Sequence, residues 1–229
     1  MAPIRVAIVE DEPLYRGLLE QHLGRQSRFE VVGAYSDGPS ALDNLGIGAA
    51  DVATLDIELP GRLDGIQTAL ALRERQPGLG IVILSNHADP RFLGALPREV
   101  TSGWSYLLKK SVSDVGTFER AVEGAANGAV SLDPAIVAAM RPKAGSPMLR
   151  LTPRQHEILS LVAQGLTNSA IGQQLVLAEK SVENQLTAIY SELGIDRRES
   201  ESVHPRVSAV LVYLRESRVS SQSLRSQRR

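Results

Sequence analysis

The chain has 229 residues, of which 43% are hydrophobic and 22% charged. This composition is typical of globular proteins rather than disordered chains, and the length is sufficient for two small domains. The absence of cysteine excludes disulfides, thiolate metal sites and cysteine nucleophiles. The N-terminal apolar run is too short for a signal peptide, and no stretch approaches the ~20 apolar residues of a membrane span. The sequence therefore predicts a soluble, cytoplasmic protein without membrane contacts.

The net charge of −1 conceals a difference between the two halves of the chain. Residues 1–130 contain 17 acidic and 12 basic side chains, a net charge of −5. Residues 131–229 contain 9 and 13, a net charge of +4. This asymmetry indicates two modules, of which the basic one is a candidate for nucleic-acid binding. Charge alone does not decide the point, because a basic surface is more often only a solvated surface.

Short apolar runs alternate with helical patterns in the first half. The predicted strands are Ile4–Val9, Glu30–Ala34, Val52–Leu55, Ile81–Leu84 and Trp104–Leu107. Helices are predicted over residues 13–25, 39–46, 65–75, 90–97 and 113–127. This alternation is typical of βαβ units, with helices on both faces of a buried parallel sheet. The predicted fold of this half is a doubly wound α/β fold with a five-stranded parallel sheet.

The second half shows no comparable strands and is predicted to be all-α. Helical patterns cover residues 153–164, 167–174, 179–192 and 205–214. Short helices joined by tight turns are consistent with a helix-turn-helix, although a three-helix interaction domain fits the spacing equally well. Residues 141–147 are rich in Pro, Gly and polar residues and predict a linker. The expected organisation is a first domain at 1–127, a linker at 128–148, a helical domain at 149–216 and a disordered basic tail at 217–229.

Polar side chains follow four of the predicted strands. Glu10 and Asp11 follow the first strand, Asp56 follows the third, Ser85 follows the fourth, and Lys109 comes just after the fifth. Because the carboxyl ends of parallel strands meet at one edge, we expect these side chains to lie together. Three neighbouring carboxylates would repel one another and shift their pKa values unless a cation neutralised them. Oxygen ligands of this kind favour Mg²⁺.

Each of these residues also has a simpler explanation. Asp11 precedes Glu12 and Pro13 and suits the start of a helix. Ser85 suits a turn, and Lys109 suits an exposed surface. Their joint occurrence at the ends of four strands is a stronger indication of a site than any one of them.

The strand ends of the first half carry the motifs Val9-Glu-Asp-Glu-Pro13, Leu55-Asp-Ile-Glu-Leu-Pro-Gly61 with Asp64-Gly65, Ile83-Leu-Ser85 and Ser105-Tyr-Leu-Leu-Lys109. By these motifs, residues 3–127 resemble the receiver domain of two-component response regulators, a flavodoxin-like fold. This resemblance implies that Asp56 is the phosphoacceptor, and that Mg²⁺ is held by Glu10, Asp11, Asp56 and the backbone carbonyl of Glu58. It further implies that Lys109 pairs with the phosphoryl group, that Ser85 donates a hydrogen bond to it, and that Tyr106 is the switch aromatic.

The first helix of the second half begins with a capping box of Thr152 and Gln155, with Pro153 in the first turn. Further motifs are Leu151-Thr-x-Arg, Gly165-Leu-Thr-Asn168, Ala170-Ile-Gly172, Ser181-Val182 and Ile189-x-x-x-Leu193-Gly194. By these motifs the second half resembles the LuxR-type DNA-binding domain. Together the two halves resemble a NarL/FixJ-family transcriptional regulator.

The third helix of the second half is the expected recognition helix. The candidate DNA contacts on and after it are Lys180, Glu183, Asn184, Gln185, Thr187, Arg197 and Arg198. The family commonly has Val-Lys-x-His in this helix, whereas this chain has Val182-Glu-Asn-Gln185. An acidic residue therefore replaces a basic one on the helix expected to face DNA.

The predicted function is that of a response regulator rather than an enzyme. The resemblance implies a sensor histidine kinase as phosphodonor, Mg²⁺ as cofactor, double-stranded DNA as target and a homodimer formed on phosphorylation or on DNA. One alternative is an aspartyl-phosphate hydrolase, whose general acid would have to be Glu58. Another is an atypical regulator that binds a protein partner, which Glu183 favours.

Overall fold

The computed structural model describes residues 2–87, 102–195 and 203–219. The chain forms two compact units, of which the first ends at Ala129 and the second begins at Val130. The helix predicted over 90–97 and the tail residues 220–229 lie outside the described residues. Within the described residues, no helix is long and apolar enough to cross a membrane.

The first unit is a doubly wound α/β fold, as predicted. Its elements are β1 (Ile4–Val9), α1 (Pro13–Gly24), β2 (Phe29–Tyr35), α2 (Gly38–Asn44), β3 (Val52–Asp56), α3 (Gly65–Arg75), β4 (Gly80–Ser85), β5 (Trp104–Leu108), a 3₁₀ turn (Lys109–Ser113) and α4 (Val115–Ala126). Its five strands run parallel in the order β2-β1-β3-β4-β5. Every residue of β3, β4 and β5 is buried, as expected for a parallel sheet covered on both faces.

The connection from β3 to α3 is tightly constrained. A Cβ added to Gly65 would lie 1.9 Å from the carbonyl oxygen of Asp56, so only glycine fits where α3 begins beside the end of β3. Asp64 caps this helix, because its Oδ1 accepts a hydrogen bond from the Gln67 amide at 2.8 Å. The Gln67 side chain accepts one in return from the Asp64 amide at 3.0 Å. These contacts hold the backbone around Asp56 in one position.

The second unit contains the predicted helices and several shorter elements. Its elements are β6 (Val130–Leu132), α5 (Pro134–Ala139), β7 (Met140–Pro142), a 3₁₀ turn (Pro147–Arg150), α6 (Pro153–Ala163), α7 (Asn168–Leu175), α8 (Glu179–Glu192), α9 (Pro205–Glu216) and β8 (Ser217–Val219). The capping box of Thr152 and Gln155 is present. Gly165 and Gly194 follow α6 and α8 with positive φ angles of 81° and 69°, as is common after helix ends.

The predicted linker is a folded part of the second unit, which is a correction to the expected boundaries. Ile136, Val137 and Met140 are buried, and β7 pairs antiparallel with β8. The prolines and charges of residues 141–147 indicated a loop, but Pro142 occupies a position in a short edge strand, where proline is tolerated. Strand β8 likewise places residues 217–219, the first three of the predicted disordered tail, in a regular element.

The turn between α7 and α8 is short and closely packed. A Cβ added to Gly172 would lie 2.7 Å from the carbonyl oxygen of Leu177. The Leu177 amide donates to the Gly172 carbonyl oxygen at 2.8 Å. Between them, Val176 has a φ of 54°, in the left-handed region. This turn fixes the orientation of α8 against α7, as a helix-turn-helix requires.

Candidate functional site

The register of the parallel strands brings the predicted site residues together. Val9 pairs with Leu55 in neighbouring strands, so the residues that follow, Glu10 and Asp56, emerge side by side. Oxygen atoms of Glu10, Asp11 and Asp56 all lie within 4.8 Å of one another. Glu10 and Asp56 are buried, whereas Asp11 is exposed. The structure therefore confirms that the three acids form one cluster.

Lys109 reaches the cluster from the strand next to β4. Ser85 pairs with Leu108, which places Lys109 one residue beyond the sheet edge. Its Nζ lies 2.9 and 2.8 Å from the two carboxylate oxygens of Glu10 and 2.8 Å from Oδ2 of Asp56. Only 9% of the Lys109 side chain is exposed, so water weakens these ion pairs little. One ammonium group bridges two buried carboxylates.

The buried charges shift two pKa values in this cluster. Burial raises the pKa of Glu10, although its hydrogen bond to Lys109 acts in the opposite direction. Burial by itself lowers the pKa of Lys109, but the hydrogen bonds to Asp56 and Glu10 outweigh it and hold the pKa above its usual value. Lys109 therefore carries its positive charge at neutral pH, and the negative charge on Glu10 costs free energy.

The donor set fits a hard divalent cation. Three carboxylates and one ammonium carry a net charge of −2 when ionised, which one divalent cation would balance. All of the candidate side-chain ligands are oxygen atoms, which Mg²⁺ and Ca²⁺ prefer, and the exposure of Asp11 leaves room for the waters that Mg²⁺ retains. The amide of Glu58 donates to Asp56 Oδ1 at 3.1 Å, so the backbone of residue 58 lies beside the cluster. The role of its carbonyl oxygen as a ligand stays a prediction.

Ser85 and Tyr106 converge on a single backbone carbonyl. Ser85 Oγ donates to the carbonyl oxygen of His87 at 2.7 Å and accepts from the His87 amide at 3.2 Å. The Tyr106 hydroxyl donates to the same carbonyl oxygen, also at 2.7 Å. Both side chains are buried. Movement of Ser85 would therefore be transmitted to Tyr106 through the backbone of His87.

The first turns of α1 contribute two residues that sequence reasoning missed. Arg16 donates to the carbonyl oxygen of Glu10 at 2.5 Å and to that of Asp11 at 3.4 Å, so it braces the backbone of two candidate ligands. The Lys109 ammonium lies 4.6 Å from the centre of the Tyr15 ring. Tyr15 and Arg16 lie about one turn after Glu10 and Asp11 in the sequence. This position could have identified them, since the first turn of a helix lies beside the strand end that precedes it.

Helix α8 presents the predicted contact residues on its outer face. Lys180, Glu183, Asn184 and Thr187 are exposed and Gln185 is partly buried. The inward residues are those expected from helical periodicity, namely Val182, Leu186 and Ile189. Arg197 and Arg198 lie outside the described residues.

The basic residue on the outer face of α8 is paired with an acidic neighbour. Lys180 Nζ lies 2.8 Å from Oε2 of Glu183, and the two side chains form an exposed ion pair. The helix contains one basic residue against three acidic ones, Glu179, Glu183 and Glu192. This charge distribution differs from that of an ordinary DNA-facing helix, which presents Lys or Arg to phosphates.

Two protein families match the chain, one for each half. Residues 6–122 match the family described as the response regulator receiver domain. Residues 149–203 match the family described as bacterial regulatory proteins, luxR family.

Curated relatives cover most of the chain. It is 30% identical over 207 residues to the DNA-binding transcriptional activator DevR/DosR of Mycobacterium tuberculosis, with 87% of this chain and 93% of that protein covered. It is 31% identical over 196 residues to the transcriptional regulatory protein DesR of Bacillus subtilis, with 85% and 92% covered. Among solved structures, the response regulator ChrA of a heme-sensing two-component system matches at 28% identity with a TM-score of 0.48, covering 100% of this chain and 99% of that one.

The motif resemblance, the parallel fold with its acidic cluster and the two family matches agree. Together they assign the first unit to the receivers and the second to the LuxR-type domains. The chain belongs to the NarL/FixJ-type response regulators, which join a receiver domain to a LuxR-type DNA-binding domain.

Proposed function

We propose that a sensor histidine kinase phosphorylates Asp56, that this modification makes the chain form a homodimer, and that the homodimer binds a specific DNA site in the cytoplasm to regulate transcription. The observation that carries the proposal is the pairing of a buried Asp56 carboxylate with Lys109 at 2.8 Å inside a cluster of acids. The named relatives are transcriptional regulators, which supports the same output.

The phosphoryl transfer needs few groups from the protein. A carboxylate oxygen of Asp56 attacks phosphorus, the bond from phosphorus to the donor breaks, and the donor leaves with the bonding electron pair. The Lys109 ammonium, already 2.8 Å from Asp56 Oδ2, stabilises negative charge on the phosphoryl oxygens. When bound by Glu10, Asp11, Asp56 and the Glu58 carbonyl, Mg²⁺ would supply further charge neutralisation. The product is an acyl phosphate on Asp56.

The contacts of Ser85 suggest how phosphorylation of Asp56 would change the structure around Tyr106. When a phosphoryl group arrives on Asp56, the Ser85 hydroxyl gains an acceptor more strongly charged than the His87 carbonyl it now contacts. Its reorientation would remove one donor from the His87 carbonyl oxygen, to which the Tyr106 hydroxyl also donates. A local change of charge thus alters the β4 end and the surface around Tyr106.

Phosphorylation at Asp56 is testable with a small acyl-phosphate donor and Mg²⁺. We expect one hydroxylamine-sensitive phosphoryl group per chain in the wild type and none in Asp56→Ala, measured by intact mass spectrometry. In Lys109→Ala the label should form, but DNA affinity should no longer change, because the phosphoryl group lacks its partner. Chelation of Mg²⁺ should abolish labelling.

The matched control for this experiment is Asp51→Ala, which removes a partly exposed acid just before β3, where it pairs with Arg5. It should label as the wild type does. Stoichiometric labelling that survives in Asp56→Ala would refute the assignment. Steady phosphate release from a small phosphate ester by the wild type, lost in Glu58→Gln, would instead favour a hydrolase.

DNA recognition by α8 relies on amide and carboxylate groups. Asn184 and Gln185 can each form a bidentate pair with adenine, and Glu183 can accept from N4 of cytosine. Each good pairing is worth ~1–3 kcal/mol of discrimination between bases. Attraction to phosphates would come from Lys180, Arg197 and Arg198, which supply affinity without sequence information.

Substituting Glu183→Lys tests whether this helix lies in the groove. Losing the Lys180 ion pair and adding a cation should raise affinity for random DNA and steepen its salt dependence by roughly one to two counterions. The ratio of specific to non-specific affinity should fall by roughly 5- to 150-fold, because the carboxylate that reads cytosine is lost. Titrations of a selected site and of scrambled DNA at several salt concentrations measure both effects.

Glu157→Lys is the control for this charge change. Glu157 forms an equivalent exposed pair with Arg154, three residues before it on α6, so the substitution alters net charge equally. It should leave the specificity ratio unchanged. If Glu183→Lys also leaves both affinities unchanged, α8 does not enter the groove and binding to a protein partner becomes the better account.

We place the proposed contact between two chains on α9, which carries an apolar stripe, but this stripe is covered in the structure. The apolar stripe of Val207, Val210, Leu211 and Leu214 is buried. The opposite side is also covered, since Ala209 and Tyr213 are 0% and 5% exposed. In this conformation the stripe therefore offers no exposed apolar surface to a second copy.

One segment that contacts this side of α9 is residues 134–142, which we name the strap. The Tyr213 hydroxyl donates to the carbonyl oxygen of Val137 at 3.3 Å, and the strap's β7 pairs with β8. A groove of about 500 Å³ separates the strap from α6, lined in part by Val137, Met140, Met148, His156 and Tyr213. We infer that pairing of two chains through α9 requires the strap to move away.

A cross-link that locks the strap should block dimerisation. Arg141 and Arg218 face each other across the β7–β8 ladder, where Cα atoms are roughly 4.5–5.5 Å apart and a disulfide fits. The chain has no other cysteine. Phosphorylated Arg141→Cys/Arg218→Cys should sediment as a monomer when oxidised and as a dimer when reduced.

The two single-cysteine variants control for the loss of each arginine and should dimerise under either redox condition when tested at low concentration. Equal dimerisation of the oxidised and reduced double variant would refute the role of the strap. Absence of a phosphorylation-dependent mass change in the wild type would refute the dimerisation proposal itself.

A further inference from the structure

Tyr15 contacts Lys109 at both ends of the lysine residue. The ammonium lies 4.6 Å from the centre of the Tyr15 ring, a distance at which the electron-rich face of an aromatic ring attracts a cation. The Tyr15 hydroxyl donates a long hydrogen bond of 3.4 Å to the backbone carbonyl oxygen of Lys109. Burial and the neighbouring carboxylates raise the pKa of Tyr15, so its phenol stays neutral.

Together with the two ion pairs, these contacts surround the flexible side chain of Lys109. A lysine ammonium is a point charge on a four-carbon stem with many rotamers. Glu10 and Asp56 attract it from one side, while the Tyr15 ring supplies a third surface contributed by a different element, α1. Without that surface, two carboxylates constrain the direction of the ammonium less completely, because ion pairs impose little directionality.

The contact also has an electrostatic consequence for the cluster. Only 9% of the Lys109 side chain is exposed, and the Tyr15 ring covers part of it. A cation over an aromatic ring in a water-poor site is attracted more strongly than one at an exposed surface. An aliphatic side chain at position 15 would cover the lysine but would not attract its charge.

We propose that Tyr15 is a positioning residue for phosphoryl transfer to Asp56, because its ring holds the Lys109 ammonium where the incoming phosphoryl oxygens need it. The inference rests on the proposed role of Asp56 as phosphoacceptor. It assigns to α1 a function beyond covering the sheet. It predicts that the aromatic ring, rather than the hydroxyl, is the required feature.

The kinetic test compares Tyr15→Leu with Tyr15→Phe in the full chain. The reaction uses a small acyl-phosphate donor with saturating Mg²⁺, in which an Asp56 oxygen–phosphorus bond forms and the donor carboxylate leaves. Loss of the ring should slow the maximal labelling rate roughly 3- to 10-fold, as expected for a cation–π contact, with little change in the donor concentration at half-maximal rate. Tyr15→Phe should stay within about twofold of wild type, since it keeps the ring.

Two controls separate positioning from simple loss of packing. Tyr35→Leu removes an aromatic residue from the end of neighbouring β2 and should label at the wild-type rate. In a Lys109→Ala background, Tyr15→Leu should have no further effect, because residues that act through each other are non-additive. Additive effects would overturn the proposal.

A spectroscopic readout tests the contact without any phosphorylation. The sequence contains four lysines, so lysine-labelled protein gives few side-chain signals, and Lys109→Arg identifies the one of interest. The ε-methylene protons of Lys109 should be shifted upfield by the ring in wild type and in Tyr15→Phe, and should lose that shift in Tyr15→Leu.

The outcomes distinguish this inference from the proposed function. If Tyr15→Leu labels as fast as wild type, or if Tyr15→Phe is as slow as Tyr15→Leu, the positioning role is wrong even where Asp56 carries the label. An unshifted Lys109 signal in the wild type would also overturn it. If Asp56→Ala still accepts the label, the proposed function fails, while the Lys109 signal still reports whether the ring contact exists.

Discussion

The ammonium of Lys109 between the buried carboxylates of Glu10 and Asp56 is the interaction on which the receiver site depends. At 2.8–2.9 Å from both acids, it makes it possible to bury two like charges at one sheet edge. A buried carboxylate without such a partner would be protonated or would destabilise the fold. The parallel register of the sheet brings Glu10, Asp56 and Lys109 together, since the ends of β1, β3 and β5 lie at a common edge. The ionised cluster still carries two negative charges, which one divalent cation would balance.

The charge distribution of the second unit differs from that of the receiver site. Its net charge is positive, yet α8, the proposed recognition helix, carries three acids and a single lysine that is paired with Glu183. Such a helix offers phosphates little attraction, so the proposed recognition depends on hydrogen bonds to bases. The strap also contacts α9, since the Tyr213 hydroxyl donates to the carbonyl oxygen of Val137.

The sequence predicted the elements that depend on local patterns. Alternating apolar runs identified the strands, and strand ends identified Glu10, Asp11, Asp56, Ser85 and Lys109 as neighbours. It did not predict the strap, because Pro142 and the surrounding polar residues signal a loop, and pairing with β8 is a contact between residues about 75 positions apart. Tyr15 was missed for a similar reason. Its contact with Lys109 spans two elements, and a tyrosine in a helix reads as ordinary packing until the lysine is placed.

The binding of Mg²⁺ tests the charge balance of the cluster most directly. The free energy of unfolding of the wild type should rise with the logarithm of the MgCl₂ concentration once that exceeds the Kd, by about 2.7 kcal/mol at a concentration 100-fold above the Kd. Sodium chloride at matched ionic strength should not reproduce this increase. Asp11→Asn, which removes an exposed carboxylate from the cluster, should lose most of it while remaining folded. A wild type that MgCl₂ stabilises no more than sodium chloride at matched ionic strength, or an Asp11→Asn variant that is stabilised equally, would contradict the account.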